Sequence, residues 1–274
     1  MHVKTLCARV KLSRQAFYKG RKQRKRRQVD GDLVAQLVLE QRREHPRIGT
    51  RKLRVMVRSE LAQAGVKIGR DRMFSELRAR GLLVKRRRSE YPRTTCSRHS
   101  LPIFKNLIKG LEVSKPNEVW VGDLTYLRTE EGFLYLALLT DKSSRKIVGY
   151  HCGDTLEAEG CWRALEMALV DLPKGAKPIH HSDRGSQYCC HEYVKRLAAR
   201  EMPVSMTETD HTAENALAER MNGILKQEYF LDAKFQTKEQ GREAARQSVS
   251  SYNHRRPHTA LNYAVPALVH SLTA

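Results

Sequence analysis

The stretch "EVWVGDLTYLRT" (residues 118–129) has the mostly apolar pattern of a long β-strand, with one carboxylate in its middle. Two similar runs follow at once, "GFLYLALLTDKSS" (132–144) and "KIVGYHCGD" (146–154). Short polar connections separate the three runs, which predicts a three-stranded antiparallel meander. Asp123, inside the first strand, needs an explanation, because a buried carboxylate without a proton, a partner or a metal is costly.

Helices and strands alternate after this meander. Asp183 stands at the carboxyl end of the predicted fourth strand. The order of elements predicts a mixed five-stranded sheet with helices on both faces, which is compatible with the α/β ribonuclease-H-like fold. In such a sheet strands one and four are neighbours, so Asp123 and Asp183 are expected side by side. The predicted elements are a helix (156–173), a strand (177–184), a helix (190–201), a strand (203–208) and two long helices (about 215–229 and 237–252).

A third carboxylate comes from the first of these two long helices. At 100° per residue, Leu217, Met221 and Ile224 form an apolar stripe, and Glu219 and Lys226 lie in line on the opposite face. Taken alone, this face reads equally well as an ordinary solvated surface. The spacing favours function, because 35 residues separate Asp183 from Glu219.

Charge divides the chain into two parts. It has 51 basic and 30 acidic residues, of which residues 1–100 hold 29 and 8, so the remaining residues carry 22 of each sign. A basic module is therefore joined to a neutral one. Lys and Arg dominate affinity for nucleic acids through phosphate contacts, so the first third is expected to bind a polyanion.

The basic module is predicted to be entirely helical. Residues 1–29 read as a short helix-turn-helix with a basic arm, and residues 30–85 as a helical DNA-binding domain whose last helix, about 70–81, could enter the major groove. A purely structural three-helix bundle is the alternative. Residues 86–116 read as a linker, 117–232 as the catalytic core and 233–274 as a helical extension. The candidate DNA contacts are Arg24, Arg26, Arg51, Lys52, Arg70, Arg72, Asn215 and Lys226.

The six cysteines form no CxxC pair, so they are expected to be reduced thiols of a cytoplasmic protein. Histidines 180, 181 and 191 beside two of the cysteines match no common zinc spacing. No apolar run approaches the length that spans a bilayer, so no membrane partner is expected.

Three motifs give the sequence a resemblance to a known family: "VWVGDLTYL" (119–127), "HSDRGSQY" (181–188) and "ENALAERMNGILKQEY" (214–229). They resemble the D, D(35)E signature of bacterial insertion-sequence transposases with a retroviral-integrase-like core, including a Lys seven positions after the Glu. "YNHRRPHTALNYAVP" (252–266) is similar to the C-terminal signature of that family. The likeness covers nearly the whole chain and is strongest to the second-reading-frame product of insertion-sequence family three. Glu214 stands where many relatives have Asp.

The resemblance implies a multidomain DNA transposase. Asp123, Asp183 and Glu219 would hold two Mg²⁺ (or Mn²⁺) ions, since hard cations prefer carboxylate oxygens. The partners implied are double-stranded DNA, as terminal inverted repeats and as target, further copies of the chain on DNA, and an upstream-frame helix-turn-helix protein or fusion. The setting implied is the bacterial cytoplasm, at the nucleoid. A ribonuclease-H-like nuclease that only hydrolyses DNA, or a DNA-binding regulator with an inactive core, are the alternatives.

Overall fold

The computed structural model describes residues 3–84, 100–208 and 212–273. The chain forms two compact units. One holds the N-terminal helices, and the other holds everything from residue 100 onwards together with residues 45–47. No helix in the described residues combines the length and the apolar composition needed to cross a bilayer.

The first unit, called here the helical unit, contains five helices. Their apolar faces meet in a core that includes Val38, Leu53 and Leu77, all fully buried. The helices are α1 (Val3–Arg9), α2 (Arg14–Glu44), α3 (Thr50–Met56), α4 (Arg58–Gln63) and α5 (Arg70–Ala79).

Helix α2 corrects the predicted organisation of the N-terminus. The expected boundary between residues 29 and 30 lies inside this single helix, and the expected basic arm is helical. Lys, Arg and Gln are good helix formers and no proline interrupts the segment, so nothing breaks the helix. Gly31 is tolerated for a packing reason: a Cβ there would lie 2.6 Å from the side chains of Glu76 and Arg80 on α5.

The helical segment that follows Gly49 is divided in two. Gly49 takes the N-cap position with no side-chain hydrogen bond, and Thr50 is the first residue of α3. Val57 leaves helical geometry at φ −94° and ψ 12° and separates α3 from α4.

The second unit, called here the core unit, confirms the mixed sheet. Its five-stranded path runs β3-β2-β1-β4-β5, with β1, β2 and β3 antiparallel and β4 and β5 parallel to β1. The elements are β1 (Val119–Thr129), β2 (Gly132–Asp141), β3 (Ile147–Gly153), α6 (Ala158–Val170), β4 (Ile179–Ser182), α7 (Ser186–Cys189), α8 (His191–Ala198), β5 (Val204–Met206), α9 (Ala216–Glu228), β6 (Lys234–Phe235), α10 (Lys238–His254) and α11 (Pro266–Thr273).

At both ends, residues outside the predicted catalytic core pack with the core unit. Of the expected linker, residues 86–99 lie outside the described residues, but Phe104 and Ile108 pack within the apolar clusters of the core unit. The expected C-terminal extension supplies β6, a sixth strand that pairs with β1, and α10, whose Val249 packs against Leu134 in one cluster. Packing of these apolar side chains against the sheet is favourable because it removes apolar surface from water.

Candidate active site

The site forms where β1 and β4 part. The two strands pair in parallel from Val119 with Ile179 to Val121 with His181. Continuing that register by two residues places Asp123 opposite Asp183, just after the last residue of β4. The sheet thus brings together two acids that are 60 positions apart in the sequence.

Asp123 is the centre of this arrangement. Its Oδ1 accepts a hydrogen bond from the Leu124 amide at 2.8 Å, and its Oδ2 accepts one from Asn222 Nδ2 at 2.7 Å. Although the residue keeps some exposure, protein atoms enclose the carboxylate, and desolvation raises its pKa to about 7. The charges of Asp183 and Glu219 contribute to this raised pKa, so the three acids are close enough to repel one another.

The other two acids reach the site from different elements. Asp183 Oδ1 accepts a hydrogen bond from the Gly185 amide at 3.0 Å, in the turn that leads into α7. Glu219 is in the first turn of α9 and is exposed at the rim. Desolvation, and then the charge of Asp183, raise the pKa of Glu219.

Three carboxylates that repel one another suit a hard divalent cation chemically, because such ions take oxygen ligands. Within residues 3–84, 100–208 and 212–273, however, no three His, Cys, Asp or Glu side chains already converge at metal-ligand spacing. Asp123 instead faces Asn222, and Asp183 faces the backbone of its own turn. The donor set therefore fits Mg²⁺ or Mn²⁺ in chemistry, and its side chains would have to turn toward a bound ion.

Asn222 is a functional candidate that sequence reasoning missed. It lies one helical turn after Glu219, on the polar face of α9, and 99 positions from the carboxylate it binds. Its spacing from Glu219 was the available signal, since residues three apart share a helix face. Its amide holds Asp123 in one orientation.

Lys226, predicted to contact DNA from the same helix face as Glu219, is buried. Only 5% of the residue is exposed, and its Nζ lies 4.3 Å from the centre of the Tyr126 ring. Burial lowers the pKa of Lys226 to about 8, against the opposing effect of the nearby Asp123 charge. The predicted face of α9 is therefore covered by protein at Lys226 and exposed at Glu219, and contact of Lys226 with DNA stays a prediction.

Asn215 is also buried. Its Nδ2 donates a hydrogen bond to the carbonyl oxygen of Gly122 at 3.1 Å, so it anchors the backbone next to Asp123. On the other side, a Cβ on Gly122 would lie 3.2 Å from both His180 Nε2 and Tyr188 Cε1. A side chain at position 122 would crowd both of these rings.

The remaining predicted DNA contacts lie in the helical unit. Arg24, Arg26 and Arg51 are exposed, and Lys52 is partly exposed. Arg70 and Arg72 are not simply solvated, because Arg70 binds Asp71 at 2.9 Å and Arg72 binds Asp30 at 3.1 Å. The helix expected to enter the groove therefore has its first arginines in ion pairs.

Comparison with known proteins gives the family. Two family models described as "Integrase core domain" match residues 113–211 and 200–266. The chain is 35% identical over 244 residues to the insertion element IS600 uncharacterized 31 kDa protein of Shigella sonnei, which covers 88% of each chain. It is 31% identical over 235 residues to the transposase InsF for insertion sequence IS3A of Escherichia coli, covering 82% of this chain and 78% of that one.

The chain belongs to the IS3-family transposases. The second integrase-core match extends to residue 266, and α10 packs in the same apolar cluster as β2, so both the match and the packing of this transposase continue past the predicted boundary at 232. Among solved structures, it is similar to the simian T-cell lymphotropic virus intasome in complex with PP2A regulatory subunit B56 gamma. That likeness has a TM-score of 0.50 and 17% identity, covers 81% of the transposase and 70% of that chain, and supports the integrase-like fold.

Proposed function

We propose that this transposase binds the terminal inverted repeats of its own element as double-stranded DNA, cleaves a strand at the element end, and joins the freed 3′ end to another strand. The observation that carries the proposal is the meeting of Asp123, Asp183 and Glu219 at the end of the β1–β4 ladder. Carboxylates gathered against their own repulsion favour a cation-dependent reaction over a purely structural role.

Held by these carboxylates, Mg²⁺ or Mn²⁺ would supply Lewis-acid activation of the attacking and leaving oxygens of a phosphodiester. Asp123 is suited to be the shared ligand, because both of the other acids act on its charge. Asn222 would hold Asp123 in orientation, and Asn215 would fix the strand through Gly122. Glu219, at the exposed rim, is placed to complete the site as DNA enters.

The joining step conserves bonds. The 3′-hydroxyl oxygen of the element end forms a bond to a phosphorus of the target strand, and the bond from that phosphorus to the target's own 3′-oxygen breaks. The proton lost by the attacking hydroxyl balances the one gained by the departing oxygen. Because one phosphodiester replaces another, no nucleotide cofactor is needed. Cleavage and joining would take place on nucleoid DNA in the bacterial cytoplasm. Several copies of the chain would act together with an upstream-frame partner or fusion.

A supercoiled plasmid carrying both element ends tests this function. Incubated with the full chain and Mg²⁺, it should yield products in which an element end is covalently joined to a new strand. Linear or nicked products alone would indicate the nuclease that only hydrolyses DNA. A gel shift of the element ends without any strand breakage would indicate the regulator with an inactive core.

A further inference from the structure

The first half of α2 presents a row of polar side chains along one face. At 100° per residue, Arg14, Tyr18, Arg21, Lys25 and Gln28 fall within about 80° of arc around the helix. All five are exposed, and the Tyr18 side chain is 53% exposed. We call these five residues the basic stripe.

The charges of the basic stripe have no ion-pair partners in the part of the chain that the structure describes. Across the described residues, no ion pair involves Arg14, Arg21 or Lys25, nor Lys22 or Arg24, which flank the stripe. A row of exposed cations without acidic partners is the electrostatic footprint that a polyanion recognises.

Helix α5 shows the opposite arrangement. Its Arg72 binds both Asp30 and Glu76, at 3.1 and 3.8 Å, and its Arg80 binds Glu76 and Asp32 at 2.6 and 2.8 Å. These arginines are engaged in holding α5 against α2. Moving them to phosphates would break contacts that the free protein already has, whereas the basic stripe has no ion pair to lose among the described residues.

Repulsion within the basic half of α2 points the same way. Arg21 and Lys25 are four residues apart, as are Lys22 and Arg26, and like charges at this spacing destabilise a helix. Phosphate oxygens close to these side chains would relieve the repulsion. Binding of a polyanion should therefore also stabilise this part of the helix.

Duplex DNA fits the basic stripe in size and chemistry. From Arg14 to Lys25 the helix rises about 16 Å at 1.5 Å per residue, which exceeds the roughly 12 Å width of the major groove. Its two ends can therefore reach phosphates on both strands. The Tyr18 hydroxyl can add a hydrogen bond to a phosphate. A lipid surface fits poorly, because binding there needs a broad apolar face.

We propose that the basic stripe of α2 is a duplex-DNA interface of this transposase, which deepens the proposed function and rests on it. The full chain carrying Arg21→Gln and Lys25→Gln within the basic stripe, and Arg24→Gln on its flank, tests this assignment. Its matched control carries Arg54→Gln, Arg58→Gln and Arg78→Gln, which remove three exposed charges from α3, α4 and α5 of the same unit. Gln is a good helix former, so α2 should persist, as circular dichroism can verify.

Affinity for a labelled terminal-repeat duplex is measured by fluorescence anisotropy from 50 to 200 mM salt. Three lost phosphate contacts should lower the slope of log K against log salt by about 2.7, and affinity in low salt should fall by more than about tenfold. The control should change the slope by less than about one. Arg21→Lys with Arg24→Lys should keep the full slope, because the charge is retained.

Equal losses in the two triple variants would overturn the proposal by showing a general charge effect. An unchanged slope in the α2 variant would overturn it as well, as would a loss confined to single-stranded DNA of the same sequence. Failure of the unaltered chain to bind the duplex would instead defeat the proposed function itself. Hydrogen exchange adds a separate readout: DNA should slow exchange of the amides of residues 18–28 in the unaltered chain and not in the α2 variant.

Discussion

In the helical unit the cations of the basic stripe face solvent and pair with no acid of the described residues, whereas in the core unit Asp123 is enclosed by protein beside two further acids. An exposed charge interacts weakly with its surroundings, so DNA affinity is expected to be the sum of many replaceable contacts. An enclosed carboxylate has one geometry and one set of neighbours. Catalysis should therefore depend on a few residues that cannot be exchanged.

The largest expected effect is a loss of catalysis by the core unit, while DNA binding by the helical unit is retained. Asp123→Asn, Asp183→Asn and Glu219→Gln should each lower strand joining by at least about 1,000-fold, because each removes an anionic ligand at the reacting phosphate. Affinity for the terminal repeats should stay within about threefold, since phosphate binding belongs to other residues. Plasmid joining and duplex anisotropy measure the two quantities.

An exposed carboxylate of the same unit provides the control for these variants. Glu157→Gln, at the N-cap of α6, should leave joining unchanged. Near-native joining by any one of the three triad variants in Mg²⁺ would refute the catalytic assignment.

The next effect concerns Arg256, which lies in the C-terminal signature (252–266). Arg256 is 2% exposed, and its Nε and Nη2 donate to the two Glu228 oxygens at 2.8 and 2.9 Å. Arg256→Ala removes the guanidinium that binds both Glu228 oxygens. It should lower the free energy of unfolding by about 3–5 kcal/mol, measured by denaturant titration.

The exposed pair of Arg246 with Glu243 supplies the comparison, and Arg246→Ala should not change stability measurably. If Arg256→Ala kept full stability and weakened DNA binding, Arg256 would belong to the DNA interface and the contrast between the two units would be weaker.

A smaller effect sharpens the role assigned to Asn222. Asn222→Ala removes the hydrogen bond to Asp123 Oδ2 and should lower joining by about 10- to 100-fold, with more Mg²⁺ needed for half-maximal rate. Asn222→Asp should lose more, since it adds a fourth negative charge. The control is Gln227→Ala on the exposed side of α9. An unchanged Mg²⁺ requirement in Asn222→Ala would exclude a positioning role.

The smallest effect is a pH dependence of stability without divalent ions. The pKa of Asp123 is raised from an ordinary value near 3.8 to about 7, so the folded chain binds more protons than the unfolded chain between these values. Stability should therefore fall as pH rises through this window. Relative to Asp123→Asn, Tm of the unaltered chain should drop by about 2–4 °C from pH 5 to 7.5 in EDTA. An equal change of Tm with pH in the unaltered chain and in Asp123→Asn would contradict the raised pKa of an enclosed Asp123.

The sheet shows how far the sequence could be interpreted. The meander, the pairing of the first and fourth strands, and the juxtaposition of Asp123 with Asp183 could all be predicted, because strand periodicity and strand order are local or topological properties. The continuity of α2 could not, since a basic run reads equally well as an arm or as a helix. The two-residue strand β6 was too short for its pattern to indicate pairing.

The sequence by itself determined the family, the strand order of the core, the three acids and the division of charge between two units. Tertiary structure alone decided which polar side chains are free to act. Arg72 is paired with a residue 42 positions away, Arg256 with one 28 positions away, and Asn222 binds a carboxylate 99 positions away. Periodicity places a side chain on a face of its own helix, but what covers that face depends on distant segments. Lys226 is buried, and the basic stripe is exposed, for that reason.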